Sequence, residues 1–378
     1  MPGLYIHIPY CKRKCAYCDF VSFANRTDHI PYTAALITEM RLYSPLVNSK
    51  RFDTVFIGGG TPSLLPVGLV SRILAEARAC FDIAENAEIT MECNPESVTE
   101  EKLIEYRTAG VDRISLGMQS ADDAVLDAIG RIHDTKTFVA AFDLVKSAGF
   151  TNINVDIMHG LPLENESAYL DSVRLAASLG AKHISSYSLI LEENTPLYAA
   201  VSSGSITLPD DDATADMQDA GIALLESLGY RRYEISNFAK EGFECRHNLN
   251  YWNNGEYLGV GAAAHSALRI NGKWVRFSNK TSVDEYLAFL GENKLPLEET
   301  KEIEREDEMF ECIMMGLRKT DGVSRAEFEA RFGIDSVEQF AAAVSAAALD
   351  GTLEVDQERI RLTRRGLDFQ NEVLLDFM

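Results

Sequence analysis

Basic residues are scarce in this chain, and long apolar runs and paired cysteine knuckles are missing. Lysine and arginine total 36 against 58 aspartates and glutamates, a formal net charge of −22 over 378 residues. Such an excess repels a phosphate backbone and argues against a nucleic-acid partner. No stretch approaches the ~20 apolar residues that cross a bilayer, so no membrane span is predicted. The opening MPGLYIHIPYCKRKC has no basic segment leading into an apolar one, which predicts a chain without a secretory leader. Seven cysteines, an odd number, argue against a disulfide framework and for a reducing cytoplasm. Internal repeats and low-complexity tracts are also missing. What remains is 46% hydrophobic, enough for one barrel-sized domain and a smaller one.

Through residue 237, strand-like runs alternate with amphipathic helical runs. The strands are expected at 4–9, 53–59, 88–93, 113–119, 152–158 and 183–189, with several intervening helices stopping on glycine. Repeated βα units imply a parallel sheet with right-handed crossovers. Six of them predict an α/β fold, a partial (β/α)6 TIM-like barrel. Residues 238–300 are rich in asparagine, glycine and aromatics and lack a helical period, so they read as a connecting segment. Residues 301–378 run helix, helix, helix, hairpin-like pair, last helix, an order that predicts a small winged-helix-like α+β domain.

The barrel strands depart from the continuous apolar run expected of a parallel strand covered on both faces. Ile89, Met91 and Cys93 alternate with Thr90 and Glu92; Ile114, Leu116 and Met118 with Ser115, Gly117 and Gln119; Ile153, Val155 and Ile157 with Asn152, Asn154 and Asp156. The period of two sends each polar set to one side, the barrel interior. Buried Glu, Gln and Asp need partners. Either they satisfy one another or a polar ligand fills the lumen at the C-terminal ends of the strands.

Two motifs favour the ligand. Cys11, Cys15 and Cys18 lie in HIPYCKRKCAYCDF, three thiolates on one loop after the first strand. Three cysteines can hold an iron–sulfur cluster and leave one iron open. The alternative is a zinc site with a fourth ligand such as His7, although no second cysteine pair follows. Directly after the second strand comes Gly58-Gly59-Gly60-Thr61-Pro62, where glycine lets the backbone approach a ligand closely.

In order and spacing, HIPYCKRKCAYCDF, GGGTPS, the Glu92 strand, LGMQS, IGRIH and VDIMHGLP resemble the radical S-adenosylmethionine family. Within it they are similar to the oxygen-independent coproporphyrinogen dehydrogenase-like branch, over nearly the whole chain. The resemblance implies a 4Fe-4S cluster on Cys11, Cys15 and Cys18. Its open iron would be chelated by the amino and carboxylate groups of S-adenosylmethionine, which reduction cleaves to methionine and a 5′-deoxyadenosyl radical. It further implies that Tyr5, Gly59, Gly60, Thr61, Glu92, Gln119, Arg131 and Asp156 contact S-adenosylmethionine and that Tyr17 lies against it. A low-potential electron donor is implied as well.

The decarboxylases of this branch carry another cysteine two residues after the third, and an N-terminal extension before the tyrosine. Here Phe20 stands at the first position, and only Met1 to Leu4 precede Tyr5. The run His247-Asn248-Leu249-Asn250-Tyr251-Trp252 resembles instead the HNxxYW signature of the branch's haem chaperones. An imidazole can ligate haem iron, and Tyr251 and Trp252 offer flat apolar surface. The alternative is that the histidine–asparagine pair buttresses an aromatic cluster. His265 reads as structural, Cys80, Cys93 and Cys312 as core, and Cys245 is noteworthy beside His247. The expected function is a haem chaperone passing haem to an acceptor protein, which could itself be membrane-bound. The alternative is an oxygen-independent coproporphyrinogen III dehydrogenase.

Overall fold

The computed structural model describes residues 2–47 and 50–378. Six parallel strands run in sequence order: β1 (Gly3–Ile8), β2 (Arg51–Gly59), β3 (Asp82–Cys93), β4 (Arg113–Gln119), β5 (Asn152–His159) and β6 (His183–Ser188). The connecting helices are α1 (His29–Tyr43), α2 (Leu69–Cys80), α3 (Glu100–Ala109), α4 (Asp123–Ala128), α5 (Thr135–Ser147) and α6 (Glu166–Leu179), with α7 (Pro196–Ser202) and α8 (Asp211–Ser227) after β6. In α2 the buried residues Val70, Ile73, Leu74 and Ala77 fall at helical spacing and cover the sheet. Thr99 caps α3 by accepting from the Lys102 amide, and Gly110 ends it at φ 96°. The outward residues Ile114, Leu116, Met118, Ile153 and Val155 join these helices in one core. The partial barrel is therefore as the alternation predicts.

The stretch 238–300 is more ordered than its lack of period suggests. After α9 (Arg246–Trp252), it continues the sheet beyond β1. β7 (Arg231–Arg232) and β8 (Asn237–Ala239) extend the β6 edge. β9 (Tyr257–Val260) lies parallel to β1, followed by antiparallel β10 (His265–Ile270), β11 (Lys273–Asn279) and β12 (Leu297–Ile303). Glu39 of α1 fastens this extension. Fully buried, it accepts from the Gly261 amide at 2.8 Å, Asn279 Nδ2 at 2.5 Å and the Tyr286 hydroxyl at 2.6 Å.

The C-terminal region has its own hydrophobic cluster, from Met309 to Phe377. α10 (Val283–Gly291) still packs in the main core, and the helices of this region are α11 (Arg305–Gly316), α12 (Arg325–Phe332), α13 (Ser336–Gln339) and α14 (Ala341–Leu349). A three-stranded sheet joins β13 (Val323–Ser324), β15 (Arg359–Leu362) and β14 (Leu353–Val355) in that order. The last helical stretch is broken in two, Arg364–Asp368 and Gln370–Leu375. Among the described residues no helix is long and apolar enough to cross a membrane.

Candidate cofactor site

The cysteine loop leaves β1 at the C-terminal end of the barrel. Tyr10–Cys11 pairs with Phe23–Ala24 and closes the loop at its base. Its far side is pinned by the Ala16 amide donating to Ile129 O (3.0 Å) and the Leu197 amide donating to Ala16 O (2.9 Å). Cys11, Cys15 and Cys18 are free thiols of intermediate exposure. Burial pushes the Cys18 thiol up, and the neighbouring sulfurs of Cys15 and Cys11 push it further. Among the described residues no three His, Cys, Asp or Glu converge as one ion would require. His7 is not free to complete a zinc site. Its Nδ1 meets the Tyr5 hydroxyl at 2.9 Å and its Nε2 meets Val21 O at 2.9 Å. A cluster, which spreads its thiolates over separate irons, suits this loop better.

The glycine run faces the loop. A side chain at Gly60 would strike Tyr10 O at 2.7 Å, and one at Gly59, at φ 113°, would strike the His7 ring at 2.5 Å. Glycine is required at both positions, and the bare backbone borders a cavity of about 310 Å³. Lining it are the three cysteines, Tyr17, Gly59, Gly60, Thr61, Glu92, Gln119, Arg131 and Asp156. Thus the three cysteines and all the residues expected at S-adenosylmethionine except Tyr5 meet there. Tyr5 lies beneath, stacked on Phe56 with ring centroids 6.3 Å apart.

Hydrogen bonds tie these elements together. Thr61 Oγ1 lies 3.6 Å from Cys11 Sγ and accepts from Asn94 Nδ2 at 3.0 Å. Arg131 reaches Cys15 Sγ at 3.6 Å and donates to Asn94 Oδ1 and Gly117 O, both at 3.0 Å, while its Nε has no partner among the described residues. Gln119 takes φ 70°, unusual for a residue with a side chain, where the pairing of β4 with β5 slips. Its Oε1 accepts from the Tyr187 hydroxyl at 3.0 Å. Glu92 accepts one hydrogen bond, from the Gly59 amide at 3.1 Å. Burial, then the nearby Asp156, pushes its carboxyl up to about 8. Burial also raises Asp156, against hydrogen bonds from Asn154 (2.8 Å) and Ser115 (3.0 Å). Burial holds both carboxyls above their usual range, and a cation brought against them would favour their charged form. A ligand bearing a sulfonium and an ammonium would supply it.

Several lining residues escaped the sequence reading. Asn94 couples Thr61 to Arg131 from just beyond β3, where no strand period reaches. Ser185 and Tyr187, in HISSYSL, carry the same alternation as the other strands and could have been found by it. Asn248 lines the cavity too.

The neighbouring His247 does not. It is 1% exposed, with Nδ1 bonded to Thr54 Oγ1 at 2.8 Å and Nε2 to the Tyr251 hydroxyl at 3.1 Å. Its ring stacks on Phe56 at 5.2 Å, and Tyr251 meets Tyr257 edge-on at 4.7 Å. Burial, then the Arg113 cation, lowers His247 to about 3. This is the geometry of an aromatic buttress, with no ring nitrogen open to iron. Trp252 faces elsewhere, under Arg318 at 4.5 Å. Cys245 and the amides of Arg246 and His247 donate to Glu88, so the start of α9 closes the N-terminal end of the barrel. His265 is exposed at the start of β10.

Comparison with known proteins agrees with this architecture. Residues 5–176 match the Radical SAM superfamily and residues 303–369 the HemN C-terminal domain. The heme chaperone HemW of Haemophilus influenzae is 37% identical across 100% of this chain and 97% of its own length. That of Bacillus subtilis is 35% identical (100% and 99%), and that of Escherichia coli 36% (100% and 98%). In fold the chain is similar to the coproporphyrinogen III oxidase HemN of Escherichia coli, a radical SAM enzyme. The TM-score is 0.85 over 100% of this chain and 90% of that one, at 23% identity. Full-length similarity above 30%, together with the matched domains, makes this chain a member of the radical SAM superfamily and, within it, of the family of heme chaperone HemW proteins.

Proposed function

We propose that this chain is a cytoplasmic haem chaperone that carries a 4Fe-4S cluster and S-adenosylmethionine, binds haem and transfers it to an acceptor protein. The observation that carries the cofactor part is one cavity gathering three free thiols, a bare glycine backbone and two under-neutralised carboxyls. The curated relatives, chaperones by name over their full length, supply the cargo. The odd count of seven cysteines supports a reducing compartment.

When bound, the cluster supplies an iron with an open coordination position and the capacity to pass on an electron. Cys11, Cys15 and Cys18 hold it. Gly59, Gly60 and Thr61 present bare backbone that lets S-adenosylmethionine approach closely, and Arg131 pairs with its carboxylate. Glu92 and Asp156 accept from its ammonium or ribose hydroxyls, Gln119 fixes orientation, and Tyr17 covers one side. Tyr5 acts from below by holding His7 against Gly59. Phe20, 70% exposed on the rim, stands where the decarboxylases of the branch carry a further cysteine, which favours the chaperone over a coproporphyrinogen III dehydrogenase.

The haem role of His247, Tyr251 and Trp252 carries a structural demand. For His247 to ligate iron, its ring must leave Thr54 and Tyr251, and α9 must release Glu88. In a His247→Ala variant that remains folded, loss of the haem spectrum means that this opening occurs. An unchanged spectrum assigns His247 to the barrel alone. The overall reading is tested by mixing anaerobically reconstituted protein with reductant, S-adenosylmethionine and coproporphyrinogen III. The chaperone reading expects no protoporphyrinogen at enzymatic turnover, and turnover would overturn it.

A further inference from the structure

The loop that carries the three cysteines also carries the longest basic run of an acidic chain. Lys12, Arg13 and Lys14 fill the positions between Cys11 and Cys15. All three are exposed, and among the described residues none of them meets a carboxylate. The other adjacent basic pairs each have such a partner: Lys50 meets Glu256, Arg231 meets Asp321, Arg318 meets Glu234 and Arg364 meets Asp219. Asp19 is the only acidic residue between Cys11 and Phe20, so the loop stays positive on a chain of net charge −22.

These cations border the cofactor cavity. Arg13, Lys14 and Phe20 line it, and Lys14 and Phe20 together also line a neighbouring groove of about 560 Å³. Phe20 is largely exposed, an aromatic ring set among charges, as in the core and rim of a protein interface. At most two residues, about 7 Å of chain, separate each cation from a cysteine of the loop. A molecule resting on the outer surface of the loop therefore comes close to the thiols without entering the cavity.

An unpaired basic loop beside an exposed aromatic fits an acidic protein surface. An anionic bilayer suits it less, because lipid-binding segments use about 4–8 basic residues and the rest of this chain is acidic. A patch this small holds a partner briefly, as the interfaces of electron-transfer proteins do. Its charge acts mainly on the rate of encounter.

We propose that Lys12, Arg13, Lys14 and Phe20 form the docking surface for an acidic, low-potential one-electron carrier protein that reduces the cluster. The proposal rests on Cys11, Cys15 and Cys18 holding that cluster. One electron passes across the loop: the carrier is oxidised by one electron, the cluster is reduced by one, and no bond forms or breaks. The cations guide the carrier and take no part in holding the cluster. They set the rate of its reduction and leave its potential where it is.

The test is anaerobic stopped-flow reduction of the reconstituted full-length protein, followed by cluster absorption. An acidic flavodoxin serves as the carrier, and photoreduced deazariboflavin as a small uncharged control. Lys12→Glu/Lys14→Glu should slow reduction by flavodoxin at least about tenfold, within the roughly 10–10³ that electrostatic steering supplies. It should leave the deazariboflavin rate and the midpoint potential of the cluster unchanged. Raising salt from about 0.05 to about 0.5 M should slow the wild type and hardly affect the variant. If that variant assembles no cluster, Lys12→Gln/Lys14→Gln decides in its place, with a smaller loss in the same direction. Equal flavodoxin rates in wild type and variant would overturn the docking surface. Equal slowing with both reductants would overturn it too, and would make the cations part of the cluster's own electrostatics. Binding to phosphatidylglycerol vesicles that the variant loses, with no difference in flavodoxin rate, would overturn it in favour of a membrane surface. Each of these results leaves the chaperone reading standing. If deazariboflavin cannot reduce the wild-type protein, the cofactor reading and the docking surface both fall.

Discussion

The two ends of the barrel carry the same kinds of inward polar residue and differ in what satisfies them. At the N-terminal ends of the strands, Glu88 receives Cys245 Sγ and two amides of α9, and Thr54 receives His247. At the C-terminal ends, among the described residues, Glu92 has one amide, Arg131 has an unpaired Nε and a cavity of about 310 Å³ lies between them. The lower end is a finished structure, and the upper end is finished by ligands. Inward polarity in a parallel strand thus marks either a plug or a pocket, and the number of protein partners distinguishes them.

That contrast predicts opposite responses to removing the two glutamates. Glu88→Ala should be the more damaging, costing about 3–5 kcal/mol in denaturant unfolding, because it strips a buried carboxylate from Arg113 and from the start of α9. A loss below about 1 kcal/mol would break the comparison. Glu92→Gln should do little harm to stability and can improve it. A carboxyl held near 8 in the fold, against 4.5 ordinarily, imposes no penalty below about pH 4.5. The penalty grows as pH rises and is complete above about 8, on the order of a few kcal/mol. The variant should therefore lose less stability than wild type between these limits, while binding S-adenosylmethionine more weakly. Parallel pH–stability curves for the two proteins would contradict a Glu92 carboxyl left without its full set of partners at the upper end.

How much of this is visible in sequence depends on burial. The six barrel strands are legible because helices cover one face and the lumen the other, so polarity alternates. β12 is exposed along nearly its whole length, and no period betrays it. Glu92, Gln119 and Asp156 are legible as inward residues at strand ends, whereas Asn94 is not, since it lies past the last strand residue. The HNxxYW run shows the limit most clearly. Its residue types suit either haem or an aromatic buttress, and the bonds between His247 and Thr54 and Tyr251 come to light only in the fold.

The most direct measurement is hydrogen exchange on the anaerobically reconstituted protein with and without S-adenosylmethionine. The open upper end predicts added protection at 59–61, 92–94 and 115–119, with Arg246–Trp252 unchanged. Protection confined to Arg246–Trp252, or none at 59–61, would contradict it.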